Sequence, residues 1–208
     1  MTETLLFDGP DGGSPTLVLA HGAGAPMDSP FMTGVTERLA AMGHRVARFE
    51  FPYMARRRAE GTKRPPDRQP ILLDSWRKVI GHLGGAENVV IGGKSMGGRM
   101  ASLIAAEMPV RGLLCLGYPF HPPGKPEKTR TEHLAALDVP GLILQGTRDP
   151  FGRPDEIAAY QLSDRTTVHW IEDGDHDLKP RKSSGRDHAA ALDEIAEVAS
   201  GFLRSLAL

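Results

Sequence analysis

The chain has 208 residues, of which 40% are hydrophobic and 25% charged, and its formal net charge is −1. This length predicts a single domain over residues 1–208, large enough to bury a core without disulfides or metal. The near-neutral charge argues against a chain attracted as a whole to nucleic acid or to an anionic membrane. A lone cysteine, Cys115, excludes an internal disulfide, and its place in an apolar run predicts a small buried side chain.

Short apolar runs alternate with helical patterns from residue 16 onward. The runs predicted as strands are Thr16–Ala20, Arg45–Phe51, Asn88–Gly92, Gly112–Leu116, Gly141–Gln145 and Thr166–Ile171. The patterns predicted as helices are Phe31–Met42, Ile71–Leu83, Gly97–Met108 and Asp187–Leu206. This alternation indicates an α/β fold, with a doubly wound, mostly parallel sheet and helices on both faces. Functional sites of such sheets form at the carboxyl ends of the strands.

The first predicted strand is followed by a run of small residues, His21-Gly22-Ala23-Gly24-Ala25. Such residues allow the backbone to approach a ligand closely. The run could also open the glycine pattern of a dinucleotide-binding loop, but the third glycine would fall at Met27. A dinucleotide site is therefore excluded, and the alternative to a ligand-contacting loop is a plain tight turn.

The third predicted strand is followed by Gly93-Lys94-Ser95-Met96-Gly97 and then by a predicted helix. This is the G-x-S-x-G pattern in its required strand-turn-helix context, which lifts the serine hydroxyl out of the sheet. A phosphate-binding loop would need glycine where Asn88 stands, so that alternative fails. Ser95 is predicted to be a nucleophile, against the alternative of a glycine-rich turn that merely contains a serine.

A serine nucleophile needs a base, and the base needs a carboxylate to orient it. Asp149 follows the predicted strand Gly141–Gln145, and His176 follows Thr166–Ile171. The order serine, acid, histidine is the one expected with this motif, and the sequence predicts that the three residues meet at one sheet edge. As an alternative, Asp149 is a turn residue before Pro150.

Other residues compete for roles at this edge. The rivals of His176 as base are His21, His121 and His133. Three aspartates flank His176 closely and could form a metal cluster, but the spacing of Asp173, Asp175 and Asp177 matches no familiar ligand pattern. Neither a metal nor an organic cofactor is predicted.

Acyl transfer also requires backbone N–H donors for the developing oxyanion. One donor is the residue after the nucleophile, which is Met96 here. The other is expected in the loop after an early strand, where Ala23 is the first choice and Gly24 the second.

Several segments together resemble the α/β-hydrolase superfamily over essentially the whole chain. More narrowly, the chain is similar to small cap-less proteins related to dienelactone hydrolases, and to the hydrolase-like domain of the testis-expressed and non-specific-lethal-complex families. These segments are residues 21–25, 51–54, 93–99, 118–126, 145–152 and 174–177. The resemblance implies the triad Ser95, Asp149 and His176 and an esterase-like activity. Some relatives serve as scaffolds, so a non-catalytic interaction module is the alternative function.

The connections between strands suggest the substrate. Residues 118–133 are short and rich in proline, which predicts an open site with minimal or no cap. Residues 52–70, 118–133 and 177–187 carry net charges of +4, +1 and +2, a basic rim that would favour a small acyl substrate bearing a carboxylate or phosphate. The alternative is a set of solvated loops. Candidate substrate contacts are His21, Arg57, His121 and Lys125.

The sequence gives less direct information on the cellular location and the oligomeric state of the protein. The segment Met1–Asp8 lacks the basic region and apolar length of a signal peptide, and a cytoplasmic monomer or homodimer is expected. Nucleic acid and membrane are not expected as partners. The basic segments lack interleaved aromatic residues, and no apolar run is long enough to span a bilayer.

Overall fold

A computed structural model of the protein describes residues 4–12 and 15–207 and contains one seven-stranded sheet. The strands are β1 (Leu5–Asp8), β2 (Thr16–Ala20), β3 (Val46–Phe49), β4 (Val89–Lys94), β5 (Gly112–Leu116), β6 (Gly141–Gly146) and β7 (Thr166–Ile171). They lie in the order β1-β3-β2-β4-β5-β6-β7. The pairing of β1 with β3 is antiparallel and all other pairings are parallel. The mostly parallel α/β sheet predicted from the sequence is thereby confirmed.

Helices cover both faces of this sheet. They are α1 (Pro30–Ala41), α2 (Pro52–Glu60), α3 (Gln69–His82), α4 (Met96–Ala105), α5 (Glu132–Ala135), α6 (Pro154–Ile157) and α7 (His188–Leu206), and short 3₁₀ turns lie at Ala86–Asn88 and Lys182–Ser184. Apolar residues of α3 and α4 pack on one face, and those of α1 and α7 on the other. Over residues 4–12 and 15–207, no helix combines the length and apolarity needed to cross a membrane.

The central strands are apolar at consecutive positions because each faces a helix layer on both sides. In β2, Val18 and Ala20 belong to the core under α3 and α4, whereas Leu17 and Leu19 belong to the core under α1 and α7. Side chains alternate between the two faces of a strand, so an all-apolar strand is the pattern that two covered faces require. Cys115 is fully buried among these residues, as its sequence context predicts.

Three predicted strands have different ends in the structure. The strand predicted over Gly141–Gln145 extends by one residue, to Gly146. The strand predicted over Arg45–Phe51 is limited to Val46–Phe49, because Phe51 already turns towards the end of β2 and its N–H donates to the His21 ring. The strand predicted over Asn88–Gly92 begins one residue later and continues to Lys94. The predicted helices deviate by one to three residues at their ends, and the helix predicted over Gly97–Met108 ends at Ala105.

Elements were also missed by the sequence prediction. The edge strand β1 is short and partly exposed, and α2 is rich in arginine, so neither shows an apolar period. Pro52, in the first turn of α2, suits a helix start because proline has no N–H to lose there. Because of α2, part of the connection that was expected to be a loop is a helix.

The parallel strands bring the carboxyl ends of β2, β4, β5, β6 and β7 to the same edge of the sheet. The connection between β5 and α5, residues 117–131, crosses this edge as irregular chain. No separate cap is built from residues 4–12 and 15–207, and the edge stays open.

Candidate active site

Ser95 lies on the sharp turn between β4 and α4. Its backbone has φ 51° and ψ −115°, a conformation that costs free energy for a residue with a side chain. The Ser95 N–H donates to the Leu116 carbonyl at 3.0 Å and holds the turn against β5. At Gly97 a Cβ would lie only 2.6 Å from the His21 carbonyl oxygen, so the glycine lets the start of α4 approach β2. The turn therefore presents the Ser95 hydroxyl at the sheet edge.

His176 connects Ser95 to Asp149. Its Nε2 lies 2.8 Å from the Ser95 hydroxyl and its Nδ1 lies 2.8 Å from a carboxylate oxygen of Asp149. Because an ionised carboxylate can only accept, Nδ1 donates to Asp149 and the Nε2 lone pair is free to accept from Ser95. The Phe151 ring packs on the imidazole with centroids 4.2 Å apart. The structure thus brings together the three residues that the sequence singled out.

Asp149 is completely buried and is held by three donors. Besides His176, the Phe151 N–H donates to one oxygen at 2.9 Å, and the Gln145 side-chain amide donates to the other at 2.9 Å. A buried carboxylate that accepts several hydrogen bonds is held in one orientation. The carboxylate is consequently fixed before it contacts the imidazole.

Gln145 is a site residue that sequence reasoning missed. Its side chain, fully buried at the end of β6, accepts from the Tyr118 N–H at 2.8 Å and donates to Asp149. It therefore ties the acid to the start of the β5–α5 segment. The signal was present in the sequence, because a glutamine ends the otherwise apolar run Gly141–Leu144, and a buried amide needs partners.

The loop after β2, residues 21–25, lies beside the serine. A Cβ at Gly22 would be 3.8 Å from the Ser95 Cβ. The Tyr53 hydroxyl donates to the Ala23 carbonyl at 3.0 Å, and the Arg57 guanidinium donates to the Gly24 carbonyl at 3.1 Å. These bonds fix the carbonyl groups of the loop and so determine the direction of its N–H groups.

His21 is fully buried at the start of this loop and supports it. One ring nitrogen donates to the Gly22 carbonyl at 2.6 Å, and the other accepts from the Phe51 N–H at 3.1 Å. Burial lowers the pKa of His21, which favours this neutral form. The ring has no free nitrogen for a substrate, and its place in the structure is that of a loop anchor.

The N–H groups of Ala23, Gly24 and Met96 are available at the same place. Within the described part of the chain, none of the three donates to a backbone or side-chain acceptor. Met96 is the first residue of α4, so its N–H has no acceptor inside the helix and adds to the positive end of the helix dipole. The loop after β2 and the start of α4 thus both present N–H groups without an acceptor close to Ser95.

Lys94, the residue before the serine, was not assigned a role from the sequence. It is nearly buried, and its ammonium group lies 3.3 Å from a carboxylate oxygen of Asp177. Burial lowers the pKa of Lys94, while the charges of Asp177, Asp149 and Asp175 partly restore it. Lys94 therefore lies beside carboxylates that favour its charged form, while burial opposes it.

The structure does not bring His121 and Lys125 to the serine. His121 is 1% exposed, and its two ring nitrogens lie 2.8 Å from the Pro122 carbonyl and 3.2 Å from Glu156. Both nitrogens are used to hold the β5–α5 segment on α6. Lys125 is exposed on that segment, and within the described residues its side chain contacts none of Ser95, Asp149 and His176.

Ion pairs neutralise part of the basic rim inferred from charge counts. Arg58 bonds Glu50 and Asp28, two acids outside the counted segment. The remaining pairs are Arg56 with Asp67, Arg64 with Glu60, Arg181 with Asp173, and Arg186 with Glu194. Paired charges steer a ligand weakly, so the summed charge of these loops overstates their attraction for an anionic substrate, and that substrate class stays a prediction.

The aspartates around His176 are occupied by protein partners. Arg181 bonds Asp173, and the Arg148 guanidinium lies 2.9 Å from the same carboxylate. The nearby arginines lower the pKa of Asp173, and its hydrogen bond to Arg181 is the main cause. Among residues 4–12 and 15–207, no group of three His, Cys, Asp or Glu side chains is placed to hold a metal ion.

Comparison with known proteins is consistent with this geometry. A family model described as an alpha/beta hydrolase domain matches residues 13–204. Among solved structures, a dienelactone hydrolase from Anabaena variabilis aligns with TM-score 0.74 and 22% identity over 97% of this chain and 90% of the other. A lidless α/β serine hydrolase from Xanthomonas campestris aligns with TM-score 0.69 and 19% identity over 98% and 89%.

A third structure extends the comparison to the full length of both chains. A monoacylglycerol lipase from Paleococcus ferrophilus aligns with TM-score 0.71 and 16% identity over 100% of this chain and 100% of the other. At these identities the three structures show a shared fold, and their substrates belong to those proteins alone.

Proposed function

The chain belongs to the family of alpha/beta hydrolase domains, and from this premise we propose that it is a serine hydrolase that cleaves a carboxylic ester or a related acyl bond. The observation that carries the proposal is the continuous hydrogen-bonded line from the Ser95 hydroxyl through His176 to the buried Asp149. The names of several similar structures, which include hydrolases, an esterase and a lipase, agree with this reaction class.

The geometry performs the first half of the reaction as follows. The Ser95 oxygen attacks the acyl carbon while its proton passes to Nε2 of His176, 2.8 Å away. Asp149 holds the imidazole in the required tautomer and stabilises the imidazolium that forms. The imidazolium then gives its proton to the leaving alcohol, and the acyl group remains on Ser95.

The second half of the reaction repeats these steps with water. His176 takes a proton from a water molecule that attacks the acyl group, and Ser95 recovers its proton as the acid is released. The chain supplies the nucleophile, the base and the acid of these steps, and water is the second reactant.

The oxyanion of each tetrahedral intermediate is assigned to the N–H groups of Ala23 and Met96, with Gly24 as an additional donor. The free N–H groups beside Ser95 support the assignment, as do the bonds from Tyr53 and Arg57 that fix the loop. Preorganised donors act at the moment of charge development, and loss of one costs ~3–4 kcal/mol of transition-state stabilisation in other enzymes.

The open edge favours small substrates. The β5–α5 segment crosses the edge as irregular chain, and the described residues add no apolar cover above Ser95. Long acyl chains gain binding energy from burial, which an uncovered site supplies poorly. Short acyl esters are therefore the expected substrate class.

The test is hydrolysis of short-chain 4-nitrophenyl esters by the purified protein. We expect turnover that Ser95→Ala abolishes, whereas Ser205→Ala, which removes an exposed hydroxyl on α7, leaves the rate unchanged. A folded wild-type protein that turns over no ester, thioester or amide would contradict the proposal. It would direct attention to the non-catalytic interaction module instead.

A further inference from the structure

Two arginines, Arg99 and Arg130, have no acidic partner among the residues that the structure describes. Arg99 belongs to α4, and its N–H donates to the Ser95 carbonyl at 3.0 Å, so it follows the serine by one helical turn of about 5.4 Å. Arg130 ends the β5–α5 segment, and its N–H donates to the Phe120 carbonyl at 2.8 Å. Their two guanidinium groups are near enough to interact electrostatically, and the charge of Arg99 helps to lower the pKa of Arg130.

The groups between the two arginines are polar and uncharged. The Tyr118 hydroxyl donates to the Arg130 carbonyl at 3.0 Å, and His133 lies 2.7 Å from the Ser102 hydroxyl. Burial, aided by the charge of Arg99, lowers the pKa of His133 to about 4, so this ring is neutral near pH 7. We call Arg99, Arg130 and His133 the arginine cluster. It holds two positive charges and no negative one.

The absence of a counter-charge distinguishes these arginines from most others in the protein. Over the described residues, neither guanidinium has a hydrogen bond or ion pair with the protein. The Nε of Arg99 is sealed from solvent and still has no acceptor. Both side chains are partly buried. A desolvated donor without a partner is costly, and two neighbouring cations without an anion add repulsion.

The segment that carries Arg130 also begins at the serine site. A Cβ at Gly117, the first residue after β5, would lie 2.6 Å from the His176 carbonyl oxygen. The next residue, Tyr118, is bonded through Gln145 to Asp149. The two arginines of the cluster therefore lie on α4 and on the β5–α5 segment, the elements that contact Ser95 and, through Gln145, Asp149.

We propose that Arg99 and Arg130 form a subsite for an oxyanion, a carboxylate or phosphate group carried by the substrate of Ser95. The inference rests on the proposed function for the identity of the reaction, while anion binding itself does not depend on it. Arginine matches both groups by paired N–H donation, and an anion would supply the acceptors that the cluster lacks. Substrate charge is thus recognised by two specific residues and not by the ion-paired rim.

The first arm of the test measures anion binding without catalysis. Inorganic phosphate and glutarate are titrated into wild-type protein, Arg99→Met and Arg130→Met while Tm is recorded. We expect a saturable rise in Tm of about 3–6 °C for the wild type at tenfold excess over Kd, and no rise in either variant. Arg204→Met, an exposed arginine on α7, is the matched control and should respond as the wild type does.

The same arm separates a binding role from a structural one. Removal of a guanidinium that stabilises the fold lowers Tm, whereas removal of an unpaired cation that serves only to bind a ligand does not. We therefore expect anion-free Arg99→Met and Arg130→Met to have Tm values equal to or above the wild type. A Tm rise with phosphate that persists in both variants, or no rise in the wild type with either anion, would overturn the subsite.

The second arm measures selectivity with three related acetate esters. They are 4-carbamoylphenyl acetate, which is neutral, 4-carboxyphenyl acetate, and 4-acetoxyphenyl phosphate. The wild type should prefer at least one anionic ester by about tenfold in kcat/KM or more, and the preferred anion identifies carboxylate or phosphate as the recognised group. The preference should fall about tenfold in Arg99→Met and Arg130→Met and stay in Arg204→Met.

The two arms distinguish the failure of this inference from failure of the proposed function. Hydrolysis of all three esters at equal kcat/KM by the wild type, without a Tm response to anions, would refute the subsite and keep the hydrolase. An anion-dependent rise in Tm that needs Arg99 and Arg130, in a protein that hydrolyses no ester, would keep the subsite and refute the hydrolase.

Discussion

The surroundings of Asp149 and the arginine cluster are two polar regions on the same edge of the sheet, and they differ in how their groups are paired. Both carboxylate oxygens of Asp149 accept from at least one donor, and the connecting amide of Gln145 is itself bonded through its oxygen and its nitrogen. In the arginine cluster two cations lack any protein acceptor. The first region is complete without a ligand, whereas the second is completed by one.

This difference assigns different roles to neighbouring residues. A paired network holds a geometry in advance of substrate, which is what proton transfer between fixed atoms requires. An unpaired, partly buried pair of cations carries an electrostatic cost until an anion arrives. Changes in the first region should reduce the rate of reaction with every substrate, and changes in the second should alter selectivity and stability.

The largest effect is expected from the loss of the base. His176→Ala should reduce kcat for short esters by about 10³-fold or more, because no other group accepts the Ser95 proton. The matched control is His169→Gln. It removes a histidine on β7, away from the serine, whose ring is bonded to Glu194. Steady-state kinetics of both variants check this prediction. Equal losses in the two variants would contradict the assigned role of His176.

A smaller effect should follow from removing the Gln145 amide that holds the Asp149 carboxylate. Gln145→Met leaves the Tyr118 N–H and one Asp149 oxygen short of a partner. We expect kcat to fall about 10- to 100-fold and the free energy of unfolding to fall by about 1–3 kcal/mol. Gln161→Met, at an exposed glutamine, is the control. A stability loss with an unaltered kcat would show that Gln145 supports the fold and not the orientation of Asp149.

The oxyanion loop should respond more mildly still. Tyr53→Phe removes the hydroxyl that donates to the Ala23 carbonyl and should lower kcat about 5- to 10-fold with little change in KM, since only the aim of the loop N–H groups is affected. Tyr160→Phe removes a hydroxyl that donates to the Pro126 carbonyl and serves as control. An increase in KM at constant kcat would indicate that Tyr53 contacts substrate instead.

The smallest effect concerns the stability of the arginine cluster as pH changes. His133 has a folded-state pKa of about 4, below the usual 6.5. Between these values the unfolded chain binds the proton first, so the contribution of His133 is fully present above pH 6.5 and is lost as pH falls towards 4. We expect a loss of about 1–2 kcal/mol, less than the full shift implies because the side chain is partly exposed.

Chemical denaturation at pH 7 and pH 4.5 checks this prediction. The comparison is between wild type and His133→Gln, which keeps a polar side chain beside Ser102. The difference in unfolding free energy between the two proteins should narrow or change sign at the lower pH. A difference that is independent of pH would mean that His133 is not held in its neutral form.

Much of the fold was predictable from the sequence because the sheet is covered on both faces. An all-apolar strand such as Gly112–Leu116 has the same ends in prediction and structure. The edge strand β1 was not predicted because its exposed residues carry no such pattern. Helix α2 was not predicted because an arginine-rich helix lacks an apolar stripe. The presence or absence of an apolar pattern therefore explains both the elements that were predicted and those that were not.

The contents of the site were predictable only where a motif or a strand end marked them. Ser95, Asp149 and His176 each lie in the connection that follows a strand and could be chosen by position. The roles of His21 and His121 could not be predicted from position, because a nitrogen of each ring bonds a residue that is remote in sequence. Charge counts within a segment overstate the charge of Arg58 for the same reason, since its partners lie outside that segment.

The most direct test of the account is covalent labelling of Ser95. Wild type, Ser95→Ala and Ser205→Ala are treated with a fluorophosphonate at pH 7 to 8, and the intact masses are measured. The account predicts one adduct on the wild type and on Ser205→Ala, and none on Ser95→Ala. A folded wild-type protein that stays unlabelled, or a Ser95→Ala protein that is still labelled, would contradict the claim that Ser95 is an activated nucleophile.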